Sequence, residues 1–264
     1  MLPRKAEPNS PVSADGGEGA RWTDRHRSVS AEARHGGREP CPLDRLRRQR
    51  DPRDLTPLGG RFEDIGVSQD VLPTWFAAVL RDGFALTAAG GYADFAEIAT
   101  ENVRALLTAS PDWSGDAEDA ARHVVEGFAE LAVHPDVPDG VQELRAAGYR
   151  LFTMTNGSAA TTRRLLDGAG LLGHFDALLD VSGPRCWKPA RAAYRHATDR
   201  AGVRPEEALL VAAHPWDVDG ARRAGLAGAW LHRDTAHYPA VMTGPDREAA
   251  SLPDLARALG KAAR

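Results

Sequence analysis

The feature that most restricts the fold is an alternation of short apolar runs with helix-forming segments over the second half of the chain. The spacing predicts strands at 149–155, 177–181, 208–213 and 228–232, and helices at 159–168, 190–201, 217–224 and 252–259. Alternation with short joints is typical of a parallel sheet covered by helices on both faces. We therefore expect an α/β core in which these strands form one parallel sheet.

The segment before this core shows a different spacing of apolar residues. Between about 68 and 131, apolar residues recur at helical spacing in three stripes, without a convincing strand. Ser68 is a candidate cap for the first of these helices. The pattern predicts an all-helical cap over 53–133, followed by the core over 134–264.

The first 52 residues are unlike either part. They hold 11 Lys and Arg, 8 Asp and Glu, no Phe, Ile or Tyr, and only six Leu, Val or Met. Such a segment cannot bury enough apolar surface to offset the entropy lost on ordering. We expect residues 1–52 to be irregular, and 1–45 to be poorly packed.

Composition excludes several classes of protein. The net charge of -4 argues against a nucleic-acid binder. Two cysteines, Cys41 and Cys186, do not make a disulfide framework and fit a reducing compartment. A membrane-spanning apolar run and a secretory h-region are both missing from the sequence pattern. The sequence therefore predicts a cytoplasmic protein without a membrane partner.

Polar groups follow three of the predicted strands, where ligands bind in open parallel sheets. They are Thr155-Asn156-Gly157-Ser158, Lys188-Pro189 and His214-Pro215-Trp216-Asp217. Each has a plain alternative: a capped turn, a surface lysine, or an aspartate that only caps a helix. Their shared position after successive strands is what favours a site.

The set resembles the haloacid dehalogenase superfamily, in particular its type II haloacid dehalogenase branch. The signatures are Thr155-Asn156-Gly157, Lys188-Pro189 with Tyr194, and Ala213-His214-Pro215-Trp216-Asp217 with Gly220-Ala221, while Trp75 and Gly91-Tyr92-Ala93-Asp94-Phe95 match the cap. The resemblance covers roughly residues 54–262 and implies a Rossmann-like core with a helical cap inserted after its first strand. It also implies an aspartate nucleophile at the end of that strand, an ester intermediate, and no metal or cofactor.

The resemblance assigns roles by position. Thr155 and Asn156 would hold the nucleophile and the substrate carboxylate. Lys188 would balance the negative charge, and Asp217 would fix Lys188 and help to position water. The expected substrate-binding residues are Tyr194, His214, Trp216 and Phe76. The expected substrate is a 2-haloacid or another small organic acid, and a homodimer is possible.

Three positions depart from the family pattern. Phe76 stands where the branch usually has arginine, His214 where it has asparagine, and Ala212 where it has serine. These changes imply a preference other than short 2-haloacids. Ala212 also replaces the second acid that a Mg²⁺-dependent phosphatase of this fold needs, because hard cations require several oxygen ligands.

The nucleophile strand is missing from the sequence as written. Residues 46–50 read Leu-Arg-Arg-Gln-Arg, and Asp51 is the nearby acid but has the wrong neighbours. Asp44 to Pro52 can be written with the permitted codons GAC CGC CTT CGA CGT CAA CGA GAC CCN. Read one base later, they spell Thr-Ala-Phe-Asp-Val-Asn-Glu-Thr-Leu, the family's nucleophile motif. We hypothesise that residues 1 to about 52 are out of frame, so that the chain as written is inactive.

Two other functions remain open. One is a Mg²⁺-dependent phosphatase of the same fold, which Ala212 disfavours. The other is a catalytically inactive protein that binds or dimerises through the same fold.

Overall fold

The computed structural model describes residues 55–232 and 237–262. The predicted irregular segment 1–52, with Asp51 and the out-of-frame motif, lies outside the described residues. The described chain begins at Leu55, which is 2% exposed.

Residues 56–130, called here the helical region, contain helices and no strand among the residues described. The helices are α1 (Thr56–Asp64), α2 (Leu72–Ala88), α3 (Phe95–Thr108) and α4 (Ala117–Glu126), with short 3-10 turns at Gln69–Val71 and Gly127–Glu130. Helix α3 begins at a capping box, in which Glu97 N donates to Asp94 Oδ1 at 2.9 Å and Asp94 N donates to Glu97 Oε2 at 2.8 Å. Ser68 accepts from Asp70 N, so it caps the turn before α2.

Residues 137–262 form the α/β region. Its strands are β1 (Phe152–Thr155), β2 (Ala177–Asp180), β3 (Leu209–Ala212), β4 (Ala227–Leu231) and β5 (Arg247–Ala249). Its helices are α5 (Val137–Ala146), α6 (Ala159–Gly168), α7 (Arg191–Ala201), α8 (Pro215–Ala224) and α9 (Leu252–Ala262). The α/β class is confirmed, and each predicted strand is present: the first three are shorter than predicted, and the fourth has the predicted length but begins one residue earlier.

The sheet itself differs from the prediction. Strand β1 pairs in parallel with β2, and β4 pairs in parallel with both β3 and β5. These pairs make a two-stranded sheet and a separate three-stranded sheet. The expectation of a single sheet is therefore wrong for the described residues. The physical reason is that none of the described strands lies between β1 and β3 to join them.

Burial marks the same division. In β4, the residues from Gly228 to Leu231 are all buried, as expected of a strand with neighbours on both sides. All four residues of β1, and three of the four in β3, are only half-buried. Yet both sheets pack on one apolar cluster with α5 and α9, which includes Leu178 from the first sheet and Leu231 from the second.

Trp187 connects the α/β region to the helical region. Its indole Nε1 donates to Ala93 O at 3.0 Å, and its backbone N donates to Thr87 Oγ1 at 3.0 Å. Its ring is fully buried and stacks on Phe95, with centroids 6.0 Å apart. Gly83 makes room for it, since a Cβ there would lie 2.4 Å from the indole. The loop that carries Lys188 is thus anchored in the helical region.

Among residues 55–232 and 237–262, every helix is too short or too polar to cross a membrane.

Candidate active site

A buried ion pair occupies the carboxyl ends of the strands. Lys188 Nζ lies 2.6 Å from Asp217 Oδ2, and the two residues are 7% and 5% exposed. Lys188 comes from the loop after β2, and Asp217 from the first turn of α8, which follows β3. A negative side chain in the first turn of a helix is stabilised by the helix dipole. The two oppositely charged groups offset each other's desolvation.

Asn156 holds the backbone of Lys188. Its Nδ2 donates to Lys188 O at 3.1 Å, and Lys188 N donates to its Oδ1 at 2.9 Å. Asn156 is 8% exposed, so both ends of its side-chain amide form hydrogen bonds in a buried environment. The bond between Lys188 and Pro189 is cis. Asn156 is therefore placed to position Lys188, whereas its predicted contact with a substrate carboxylate stays a prediction.

Tyr194 is hydrogen-bonded to Asp217. Its hydroxyl donates to Asp217 Oδ1 at 2.7 Å and approaches Asp217 O at 3.0 Å, and the side chain is 1% exposed. Burial, together with the nearby Asp217 carboxylate, raises the pKa of Tyr194 far above its ordinary value. The phenol therefore remains a donor. Gly220 leaves space for it, since a Cβ there would lie 2.6 Å from the hydroxyl oxygen.

The turn after β1 is occupied by local hydrogen bonds. Gly157 N donates to Thr155 Oγ1 at 2.9 Å, and Thr161 N donates to Ser158 Oγ at 3.1 Å. Ala159 N donates to Asp180 Oδ2 at 2.7 Å. These N–H groups at the start of α6 are already satisfied, so they do not form an open cradle for an anion.

Aromatic rings pack around Trp216, the residue that precedes Asp217. The ring of Trp216 lies 5.1 Å from that of His214 and 5.1 Å from that of Phe84 on α2. All three are half-buried. Phe76, the predicted substrate residue, instead packs 6.3 Å from Phe95 within the helical region. The sequence did not identify Phe84 as the residue of α2 that contacts Trp216. Apolar residues lie on several sides of α2, and the pattern does not show which of them faces the α/β region.

The other acid near this motif is already paired. Asp219 accepts from Arg223 Nε at 2.9 Å and from Thr243 N at 2.8 Å. Burial acts to raise the pKa of Asp219, but the hydrogen bonds from Arg223 and Thr243 outweigh it, so this pKa lies below its usual value. In the part of the chain that the structure describes, no group of three or more His, Cys, Asp or Glu side chains is arranged so that it could hold a metal ion.

The arrangement can bind a small organic anion. The ammonium group of Lys188 is held by Asp217, and the backbone of Lys188 is held by Asn156. The rings of His214 and Trp216 belong to the segment that leads into Asp217. A carboxylate or a departing anion is attracted by the ammonium, while the rings accept the apolar part of the molecule.

The sequence model of the haloacid dehalogenase-like hydrolase family matches residues 61–225. A haloacetate dehalogenase H-2 of Moraxella sp. (strain B) is 30% identical over 181 residues, covering 69% of this chain and 80% of that protein. A phosphoserine phosphatase of Thermus thermophilus is 35% identical over 145 residues, covering 51% of this chain and 58% of that protein. The L-2-haloacid dehalogenase structure from Xanthobacter autotrophicus is 22% identical with a TM-score of 0.70, covering 79% of this chain and 94% of that one.

The chain therefore belongs to the haloacid dehalogenase-like hydrolase family. Its similarities within that family include dehalogenases, and the family assignment from the sequence motifs is confirmed.

Proposed function

We propose that this protein, once its reading frame is restored, is a metal-independent hydrolase of the 2-haloacid dehalogenase type, acting on a 2-haloacid or a related small organic acid. The buried Lys188–Asp217 pair carries the proposal, because it fixes one cation beside the aromatic approach at the sheet edge. The names of the dehalogenase relatives support the reaction class. The helical region would be the cap, and the cytoplasm and a possible homodimer remain predictions.

In the proposed reaction, an aspartate carboxylate attacks the carbon that bears the halogen. The carbon–halogen bond breaks, and the halide leaves with the bonding electron pair. Water then hydrolyses the ester, releasing a hydroxy acid and restoring the carboxylate. Lys188 would balance the charge, Thr155 and Asn156 would organise the nucleophile loop, and Asp217 with Tyr194 would hold the ammonium in place.

We also propose that the chain as written lacks this activity. Asp217 accepts through both carboxylate oxygens, from Lys188 and from Tyr194, so it is a poor candidate for the attacking group. The second reading frame supplies an aspartate at the position now written Arg47, eight residues before Leu55. The resemblance places that aspartate at the end of a core strand, next to Thr155 and Lys188.

The test compares the chain as written with a frame-corrected chain that carries Thr-Ala-Phe-Asp-Val-Asn-Glu-Thr-Leu. Halide release from a panel of 2-haloacids, running from chloroacetate and 2-chloropropionate to longer-chain acids, is measured for both. We expect turnover only in the corrected chain, and none in a matched control whose restored aspartate is replaced by asparagine. Turnover by the chain as written at a comparable rate would contradict the proposal and direct attention to Asp51.

A second candidate function is a phosphatase of the same fold, favoured by the 35% identity to the phosphoserine phosphatase. Ala212 and the pairing of Asp219 with Arg223 speak against it. The same two chains are assayed on phosphomonoesters with and without Mg²⁺. Phosphate release that needs Mg²⁺ would favour this function. A corrected chain inactive in both assays would favour a binding protein.

A further inference from the structure

Arg185 has an unusual backbone conformation. Its φ is 51°, in the left-handed region, and among residues 55–232 and 237–262 it is the one residue other than glycine found there. A residue with a Cβ is strained in this region, and proteins keep such strain mainly at functional sites. Arg185 lies between β2 and Lys188. The strained residue therefore belongs to the loop that carries the buried ammonium.

The side chain of Arg185 contacts the helical region. Its Cζ lies 4.8 Å from the ring centroid of Tyr92, which is a cation–π distance. Tyr92 directly precedes Ala93, whose carbonyl accepts from the Trp187 indole. Burial and, after it, the charge of Asp180 raise the pKa of Tyr92, so this phenol stays neutral. The guanidinium is therefore held against a neutral aromatic face.

The guanidinium of Arg185 is exposed and has no anionic partner in the described part of the chain. The acids near Tyr92 are engaged elsewhere. Asp180 accepts from the first N–H of helix α6 at 2.7 Å, and Asp94 forms the capping box of α3 with Glu97. A guanidinium stacked on a ring keeps its N–H edges free, and these edges fit a carboxylate through two parallel hydrogen bonds.

Arg185 and Lys188 form an outer and an inner cation on one loop. Their Cα atoms are three residues apart, which is at most about 11 Å. Lys188 is 7% exposed and bonded to Asp217, whereas Arg185 faces solvent. Between them, Trp187 is bonded to the helical region through both its indole and its backbone N–H. The spacing of the two cations is therefore fixed, and a small molecule with two acidic groups can contact both.

We infer that Arg185 is a specificity-determining residue that binds a second carboxylate of the substrate, so that the preferred substrates are 2-halo dicarboxylic acids. This inference deepens the proposed function and rests on it. The reacting end of the substrate would lie at Lys188, and the distal carboxylate would lie on the guanidinium that Tyr92 holds in place. A carboxylate is favoured over a phosphate dianion because three carboxylates already surround Tyr92, and their repulsion grows with the charge of the ligand.

The first experiment measures kcat/KM of the frame-corrected full chain. The substrates are 2-chloro dicarboxylates from 2-chlorosuccinate to 2-chloropimelate, each compared with the 2-chloro monocarboxylate of equal carbon number. We expect at least one dicarboxylate to exceed its monocarboxylate by about tenfold, since a hydrogen bond between two charged groups contributes on that scale. The chain length that gains most reports the distance between the two cations.

Three variants assign this preference. R185Q should abolish it and leave the monocarboxylates within about twofold of the parent. R185K should keep only part of it, because an ammonium cannot form the two parallel hydrogen bonds. R195Q, in an exposed arginine of α7, is the matched control for surface charge and should keep the full preference. An equal loss by R185Q on both members of each pair would show that Arg185 only holds the two regions together, and would overturn the inference.

A binding measurement separates this inference from the proposed function. Succinate to pimelate, and the monocarboxylates from butyrate to heptanoate, are titrated calorimetrically into the frame-corrected chain and its R185Q variant. We expect at least one dicarboxylate to bind more tightly than its monocarboxylate in the parent and not in R185Q. This result without any halide release would refute the proposed function and support the role of Arg185. Halide release without a preference for dicarboxylates in either experiment would refute the role of Arg185 alone.

Discussion

Replacing Lys188 with methionine tests the buried ion pair directly. Methionine keeps most of the length of the side chain and removes the ammonium group, so Asp217 is left 5% exposed without its cation. Removing one partner of a buried pair costs about 3–5 kcal/mol of unfolding free energy. For a chain of this size, that corresponds to a fall in melting temperature of roughly 6–20 °C. Urea unfolding at pH 7, followed by circular dichroism, gives the free energy.

The double substitution K188M/D217L tests whether the instability of K188M comes from the uncompensated charge of Asp217. It removes both charges, and Tyr194 keeps the Asp217 main-chain oxygen as an acceptor. We expect the double variant to be at least about 2 kcal/mol more stable than K188M alone, because no uncompensated charge remains buried. Arg257→Gln, in an exposed ion pair, is the control and should change nothing measurable. A double variant as unstable as K188M, or a K188M variant as stable as the parent, would refute the reasoning.

Three further predictions concern packing, pH and frame. Gly83→Ala places a Cβ against the indole of Trp187 and should cost about 1–3 kcal/mol in urea unfolding, whereas Gly60→Ala, with open space around it, should not destabilise. Asp219→Asn should lower stability at pH 7. The pKa of Asp219 is lower in the folded state than in the unfolded state, where it is about 4. The difference in unfolding free energy between the parent and the variant should therefore shrink as the pH falls below about 4. A difference that stays constant from pH 7 to pH 3 would contradict this prediction. In thermal unfolding, the frame-corrected chain should melt at a higher temperature than the chain as written, which we expect to aggregate through its free edges. Equal cooperative melting of both would show that the added strand is not needed.

Local sequence determined the elements more reliably than their pairing. Strands β1 to β4 were predicted because short apolar runs between helices carry their own signal. Helix α1 lies before the three predicted stripes, and its two adjacent glycines weaken the local helix signal, yet Leu58 and Phe62 bury its inner face. Strand β5 was not predicted, because two of its three residues are exposed and it lacks the apolar run that indicates a buried strand. The split into two sheets depends on what lies between β1 and β3, which neither strand's own sequence encodes.

The site residues were predicted by their order along the chain, but their contacts were not. The motifs indicated that Asn156, Lys188 and Asp217 belong together. They did not indicate that Asn156 binds the backbone of Lys188, or that the Tyr194 hydroxyl donates to Asp217. Trp187 looked like an ordinary loop residue, because a sequence does not show which domain a loop side chain enters.

The position of Trp187 sets how far the helical and α/β regions can separate. One peptide bond joins this indole, inserted in the helical region, to the lysine whose ammonium lies on Asp217. Swinging the regions apart would expose the indole, and about 150–250 Å² of ring at 25 cal/mol per Å² amounts to about 4–6 kcal/mol. On that scale, roughly one molecule in a thousand or fewer is open at any moment. The contact between Phe84 of the helical region and Trp216 of the α/β region is therefore kept in nearly all molecules at any moment.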